Sequence, residues 1–343
     1  MYALDFEYGD FSTGLDNDKA KLSDFGFIIC QFDATGGANI ASAGSTITFN
    51  KTPINYGKRF DLVSTSYEEC LETTFDICKN PDIYEYKDME ISDQEKRNLI
   101  VWLSRHKFMD FKLIKEDSSI KDVFYKASFN IEEIWISGKL YGLRLNLTTD
   151  KPYGYGEPVT TVIKDILRKE MKSVVIETDE IGYIPLKIEL TSKLIKDNNE
   201  RTNSIRIRLT SNSYENDIII NNCFNSFPEL TQENEGVETN VESVVIDGEN
   251  QTIFTKNSVI KVVKNESDND YKYQTISNEI GTRKMYNDFN YTFPRVLNKW
   301  NKNNKKTLVY IKVTGLDYPY TGADLLTADL TLTYTPIIKG SIS

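Results

Sequence analysis

The side chains best suited to chemistry are scarce in this 343-residue chain. It holds a single histidine, His106, within VWLSRHKF. A Ser-His-Asp arrangement would have to recruit it, and no G-x-S-x-G turn is present to expose a nucleophilic serine. His106 falls on the apolar stripe of a helix or at its edge, so a packed or capping histidine is expected. The four cysteines, Cys30, Cys70, Cys78 and Cys223, lack C-x-x-C spacing and have one histidine to complete a ligand set. They read as buried or half-buried free thiols of a protein made in the cytosol. No catalytic, cofactor-binding or metal-binding residue is assigned, no cofactor is expected, and ligand-binding residues stay unassigned.

Other patterns invite chemistry and then lose it. ATGGANIASAG (34–44) is rich in glycine, but lacks the G-x-x-x-x-G-K-[ST] string. It precedes a strand-like run, 45–49, and not a helix whose N-terminus could face an anion. Gly57-Lys58 in NYGKRF has no Ser or Thr next to it and no partner glycine upstream. Glycoside hydrolysis needs two carboxylates across a cleft, and 51 acidic residues allow a pair by composition alone. No E-x-D-x-x-E spacing puts alternate acids on one strand face. NESDND (265–270) lacks the glycine and terminal Glu of a calcium loop and reads as a solvated turn. Tyr271, Tyr273, Tyr286, Tyr291, Phe293, Trp300, Tyr318 and Tyr320 crowd the last quarter. Exposed, they could stack on sugars; buried, they would fill a sandwich core, which is the stronger reading.

The elements that would position these residues follow a period of two. Leu71-Thr73-Phe75-Ile77 faces one way, with Glu72-Thr74-Asp76 opposite. Val123-Tyr125-Ala127-Phe129-Ile131 and Leu143-Leu145-Leu147 alternate in the same way. Further on come Leu186-Ile188-Leu190, Ile205-Ile207-Leu209, Val309-Ile311-Val313 and Leu330-Leu332-Tyr334. Such runs are half-buried strands with one wet face, the pattern of antiparallel sandwiches. VVIDGENQTIF (244–254) adds a hairpin with an Asp-Gly turn. One helix is expected over 93–106, started by a Ser92/Glu95 capping box and striped by Leu99, Trp102, Leu103 and His106. Segment 160–171 (TTVIKDILRKEM) fits a helix through Val159, Val162, Ile163 and Ile166, and fits a poorly amphipathic strand through Thr160, Val162, Lys164 and Ile166. Periodicity alone leans to helix.

Length suits about two domains of roughly 150 residues. With 39% hydrophobic residues, 20 Tyr and 17 Phe, real cores are expected. A formal net charge of −10 supplies no basic field to grip nucleic acid, although it suits a protein that surrounds DNA without holding it. MYALDFEYGDFS has no basic stretch followed by an apolar one, so no Sec signal is expected. FGFIICQF (25–32) falls far short of the ~20 residues of a membrane helix, and no membrane insertion is expected. TTDKPYGYGEP (148–158) suits a loop, a ligand cradle or a domain boundary alike.

In order along the chain, ISDQEKRNLIVWL, FMDFKLIKED, VFYKASF and GLRLNLTTDKPYGY resemble the N-terminal half of the phage distal tail protein family. IGYIPLKIEL, IRIRLTSNS, ESVVIDGENQTI, DFNYTFPRV and the closing LTYTP are similar to its C-terminal domain. The resemblance implies a mainly β chain of two antiparallel β-sandwich domains. The first, 1–152, would be the ring-forming domain with its packed helix at 93–106. The second, 153–343, would be galectin-like or carbohydrate-module-like. Asp150-Lys151-Pro152-Tyr153 would then end the first domain, since Pro152 blocks further pairing, and 160–171 would be a strand. The family's work is structural: a homohexameric ring in the virion tail tip or baseplate, without enzymatic activity. It joins the tail tube protein to the tail-associated lysin or hub protein, and in many phages carries receptor-binding proteins, while DNA passes through unbound. A glycan-binding adhesion module is the alternative, and a β-sandwich glycoside hydrolase a more distant one.

Overall fold

The computed structural model describes residues 5–12, 19–32, 47–54, 59–67, 70–114, 122–166, 171–193, 204–221, 227–228, 237–264, 271–299, 306–315 and 327–340. It divides into two compact units, Met1–Glu157 with Ile337–Ser343, and Pro158–Pro336. Strands dominate both. No helix among the described residues is long and apolar enough to cross a membrane.

The first unit is built on a nine-stranded antiparallel sheet. Its path runs Lys19–Lys21, Asp5–Ser12, Met109–Ile114, Phe124–Ile136, Lys139–Thr149, Glu72–Lys79, Phe27–Cys30. Alternation sets what each strand buries. Tyr125, Ala127 and Phe129 go inward from one strand and Leu143, Leu145 and Leu147 from the next, with Phe129 opposite Leu147. These two strands join through Ser137 and Gly138, whose φ values of 52° and 79° are those of the tight hairpins that match strand twist. Gly154–Tyr155 then pairs with Ile337–Ile338, so the end of the chain returns to this sheet. A separate hairpin pairs Ile47–Ile54 with Arg59–Tyr67.

The α-helix Asp93–Leu103 begins as its residues dictate. Ser92 Oγ accepts from the Glu95 N–H at 3.3 Å, and Glu95 Oε2 accepts from the Ser92 N–H at 2.8 Å. Leu99, Trp102 and Leu103 are buried. Trp102 stacks between Phe6 and Phe25, at centroid distances of 5.5 and 4.6 Å, and its Nε1–H donates to the Tyr8 carbonyl at 3.0 Å. The helix stops three residues short of the expected end at 106. Ser104 is already extended, and Arg105 Nε donates back to the Trp102 carbonyl at 3.1 Å as the chain turns toward the strand Met109–Ile114. His106 is therefore exposed and off the stripe, neither packed nor capping.

The wet face of Glu72–Lys79 is also less wet than alternation implies. Asp76 on that face is buried, and Lys79, on the opposite face in register with Ile77, is buried as well. Arg144 grips Asp76 at 2.9 and 3.2 Å, and Lys79 Nζ reaches Glu95 at 2.9 Å and the Asp88 carbonyl at 3.0 Å. Pairing makes that burial tolerable, because each charge keeps partners that replace water.

The second unit is a sandwich. A seven-stranded sheet follows the path Val159–Ile163, Thr327–Tyr334, Lys187–Lys193, Val237–Asp247, Thr252–Lys264, Tyr271–Lys284. A four-stranded sheet runs Lys172–Glu177, Lys306–Gly315, Ile205–Ser211, Tyr214–Ile220. Ile188, Leu190, Leu330 and Leu332 from the first meet Ile205, Ile207, Leu209, Val309 and Ile311 from the second in one core. The segment 160–171 is a strand only to Ile163. A turn follows, with Asp165 at φ 53°, its N–H donating to Asp329 Oδ1 at 3.0 Å and that of Ile166 to the Ala328 carbonyl at 2.8 Å. Ile166 is buried by this turn and not by a helical stripe. The 244–254 hairpin forms with a four-residue connection in place of a bare Asp-Gly turn. Asp247 Oδ1 accepts from the N–H groups of Glu249 and Asn250, both at 3.0 Å.

Candidate assembly and adhesion surfaces

The residues most able to do chemistry remain apart. Among the described residues no three His, Cys, Asp or Glu side chains gather as a metal site would require. Cys30, Cys70 and Cys78 are free and half-buried, and Cys223 lies outside the described residues. A hydrogen bond between the Cys30 and Cys78 thiols, aided by burial, pushes Cys30 up, so it stays a protonated donor. The glycine run 34–44, Gly57-Lys58 and the acidic run 265–270 all lie outside the described residues.

The late aromatics divide. Phe289 is buried, and Tyr286 and Phe293 pack against the second core, while Tyr291 stands exposed. Tyr271 and Tyr273 fall in the strand Tyr271–Lys284; Trp300, Tyr318 and Tyr320 lie outside the described residues. Core filling is thus the main use of those that can be placed.

Exposed apolar groups define the surfaces instead. In the first unit the helix buries one side and shows Ile100 and Val101 on the other, with Phe108 just beyond its end. At the neighbouring hairpin tip Trp135 and Ile136 are half exposed. Glu133 accepts from Trp135 Nε1 at 2.9 Å and pairs with Lys96 of the helix at 3.2 Å, which holds the indole in place. Ile83 and Tyr86 project from the loop before the helix. That loop is fixed by N–H donation from Ile83 and Tyr84 to the Asn80 carbonyl, and by Lys79 over the Tyr84 ring at 4.8 Å.

The second unit carries a compact aromatic platform at one end of its sandwich. Strand Gly182–Pro185 pairs with Arg295–Asn298, setting Tyr183 and Arg295 on one face. The Arg295 guanidinium lies 4.7 Å from the Tyr183 ring centroid and donates through Nε to Tyr214 Oη at 2.8 Å. Tyr214 meets Tyr183 edge-on at 4.9 Å. Tyr183 is 53% exposed, so a cation sits beside a ring that still faces water. This cluster leaves little trace in the local sequence pattern. Its one local signal is Asn212-Ser213, the tight turn that both φ values, 47° and 68°, confirm and that brings Tyr214 to this end. Farther along, Val175, Leu308 and Tyr310 are exposed on the outer face of the four-stranded sheet, and Asp217 lies between Arg206 and Arg208.

The solved structure of SPP1 Dit, described as a paradigm of the hub adsorption apparatus in phages infecting Gram-positive bacteria, aligns with 96% of this chain and 98% of its own. Identity is 12% and the TM-score 0.47. A fructofuranosidase from Schwanniomyces occidentalis aligns over 84% of this chain and 59% of its own, at 8% identity and a TM-score of 0.19. No curated protein matches the chain in sequence. A family model described as the phage tail protein N-terminal domain matches residues 1–151. The N-terminal 151 residues of this chain are thus similar to a phage tail protein N-terminal domain.

Proposed function

We propose that the chain is a structural ring protein of the distal tail, with no enzymatic activity of its own. The observation that carries this reading is the match of residues 1–151 to a phage tail protein N-terminal domain. In this reading domain 1–152 forms a homohexameric ring in the tail tip or baseplate, and domain 153–343 stays at the periphery. The ring sits between the tail tube protein and the tail-associated lysin or hub protein, and offers a place for receptor-binding proteins. Duplex DNA passes through it. Each Lys or Arg set against a phosphate would add salt-dependent affinity and drag, so the lining is neutral to acidic, as a chain of net charge −10 permits. Electron microscopy of intact tails tests the reading through the symmetry and position of this protein.

A second reading has its own observation. The Tyr183–Arg295–Tyr214 platform has the chemistry to stack on a sugar face and pair with an anionic substituent, which would make the second unit an adhesion module for acidic glycans. Binding of the full chain to an array of neutral and acidic glycans tests it; loss of a positive signal in Tyr183→Ala and Arg295→Ala supports it, and an empty array removes it.

A further inference from the structure

Two surfaces of the first unit are complementary to each other and are both presented outward. The run RNLIVWLSRHKF (97–108) contains Arg97, Arg105 and Lys107 and no acidic residue, in a chain of net charge −10. Its exposed apolar groups are Ile100, Val101 and Phe108, with Val101 62% accessible. The loop PDIYEYKDME (81–90) contains Asp82, Glu85, Asp88 and Glu90 against Lys87 alone. It presents Ile83 and Tyr86, the latter 92% accessible. The loop precedes the helix Asp93–Leu103, and the basic run takes in the helix from Arg97 onward and the residues just after it, so one copy of the unit presents both at once.

Internal contacts leave most of both surfaces open: in the basic run Arg105 is half-buried and bonds back to the Trp102 carbonyl, while Arg97 and Lys107 are exposed. Within the loop, Glu90 is held by Lys139 at 2.7 Å and Glu85 by its neighbour Lys87 at 2.9 Å. Both of the latter side chains are nearly three-quarters exposed, where such a pair contributes little. The loop is also preorganised by its backbone bonds to Asn80 and by Lys79 Nζ on the Asp88 carbonyl. Ordering Tyr86 for a partner therefore sacrifices little chain entropy, and exposed tyrosines on fixed backbones are the side chains that dominate interfaces.

We propose that the acidic loop 81–90 of one copy docks on the basic, apolar run 97–108 of the next copy, the exposed side of the helix together with the turn after it. The occupant is a second copy because the charges and the apolar groups match in pairs, negative loop to positive helix, with both halves on the same chain. A contact between two different patches is heterologous, and repeated head to tail it closes into a ring when the rotation per copy divides a full turn. The inference rests on the ring reading above and specifies its interface.

The test uses the full-length protein with a photo-crosslinking benzoylphenylalanine at position 86, with sedimentation velocity of the unmodified chain alongside. The expected result is a closed oligomer whose crosslinks from 86 map within 97–108 of the neighbour. Two charge reversals extend it: Asp82→Lys with Asp88→Lys, and Arg97→Glu with Lys107→Glu. Each pair alone is expected to weaken self-association about tenfold, and the two sets mixed in one chain to restore it. All four positions are exposed, so melting temperature should hold and report that folding is intact. Closed oligomers with crosslinks elsewhere overturn this contact and leave the ring reading standing. A dimer that goes no further overturns the head-to-tail use. A chain that remains monomeric at all concentrations, with no crosslinks, sinks the contact, and the ring reading is then judged separately on intact tails.

Discussion

Asp217 shows what a single side chain contributes on an otherwise solvated sheet face. Hydrogen bonds from Arg208 and Arg206 hold its carboxyl down from 3.8 to about 2. A depressed folded-state value means that its stabilisation is complete above the unfolded value. It is lost as pH falls through the folded one. Acid unfolding of the second unit should steepen between about pH 4 and 2, and Asp217→Asn should remove that share of the slope in a pH series of denaturant melts. Gly248 is constrained differently. A Cβ there would sit 2.2 Å from the Pro294 carbonyl oxygen and 2.8 Å from that of Leu186, both backbone atoms that cannot rotate away. Gly248→Ala should destabilise by roughly 1–3 kcal/mol, the range for overpacking, read as a lowered urea midpoint with unchanged slope.

Among elements, the helix Asp93–Leu103 is the clearest link from sequence to packing. Leu103 is wholly buried against the first core, so Leu103→Ala should cost about 2–5 kcal/mol. Thermal stability retained in that variant would contradict the packing shown. Ser92→Ala removes the cap oxygen that accepts from Glu95 N–H and should cost about 1 kcal/mol. This helix was legible because capping and the 3.6-residue stripe are local signals. Its C-terminal end was not: the stripe Leu99–Trp102–Leu103 continues in register to His106, yet the chain must leave the helix to enter the strand Met109–Ile114. Ile100 and Val101, the outer face, lie inside the same apolar run NLIVWL, where periodicity cannot say which side a partner covers. Strands were legible wherever alternation was clean, as in Leu143–Leu145–Leu147. At 160–171 both periods were weak, and pairing with Thr327–Tyr334, more than 160 residues away, decided the outcome. The Tyr183–Arg295–Tyr214 platform was invisible for a related reason, since three separate strands supply its members.

At the scale of the whole molecule the account rests on the first unit, whose residues 1–151 match a phage tail protein N-terminal domain. A ring multiplies any interface change by the number of subunits, because one heterologous contact is repeated around it. Charge reversal at that contact should therefore abolish tail assembly while the purified chain still folds, a contrast visible by counting complete tails beside a melting curve. The most direct measurement is electron cryomicroscopy of mature tails with this protein located in the map. The account predicts six copies in a closed ring at the distal end, built by domain 1–152, with domain 153–343 outside and an opening wide enough for duplex DNA lined by neutral to acidic side chains. A single copy, another symmetry or a strongly basic lumen would contradict it.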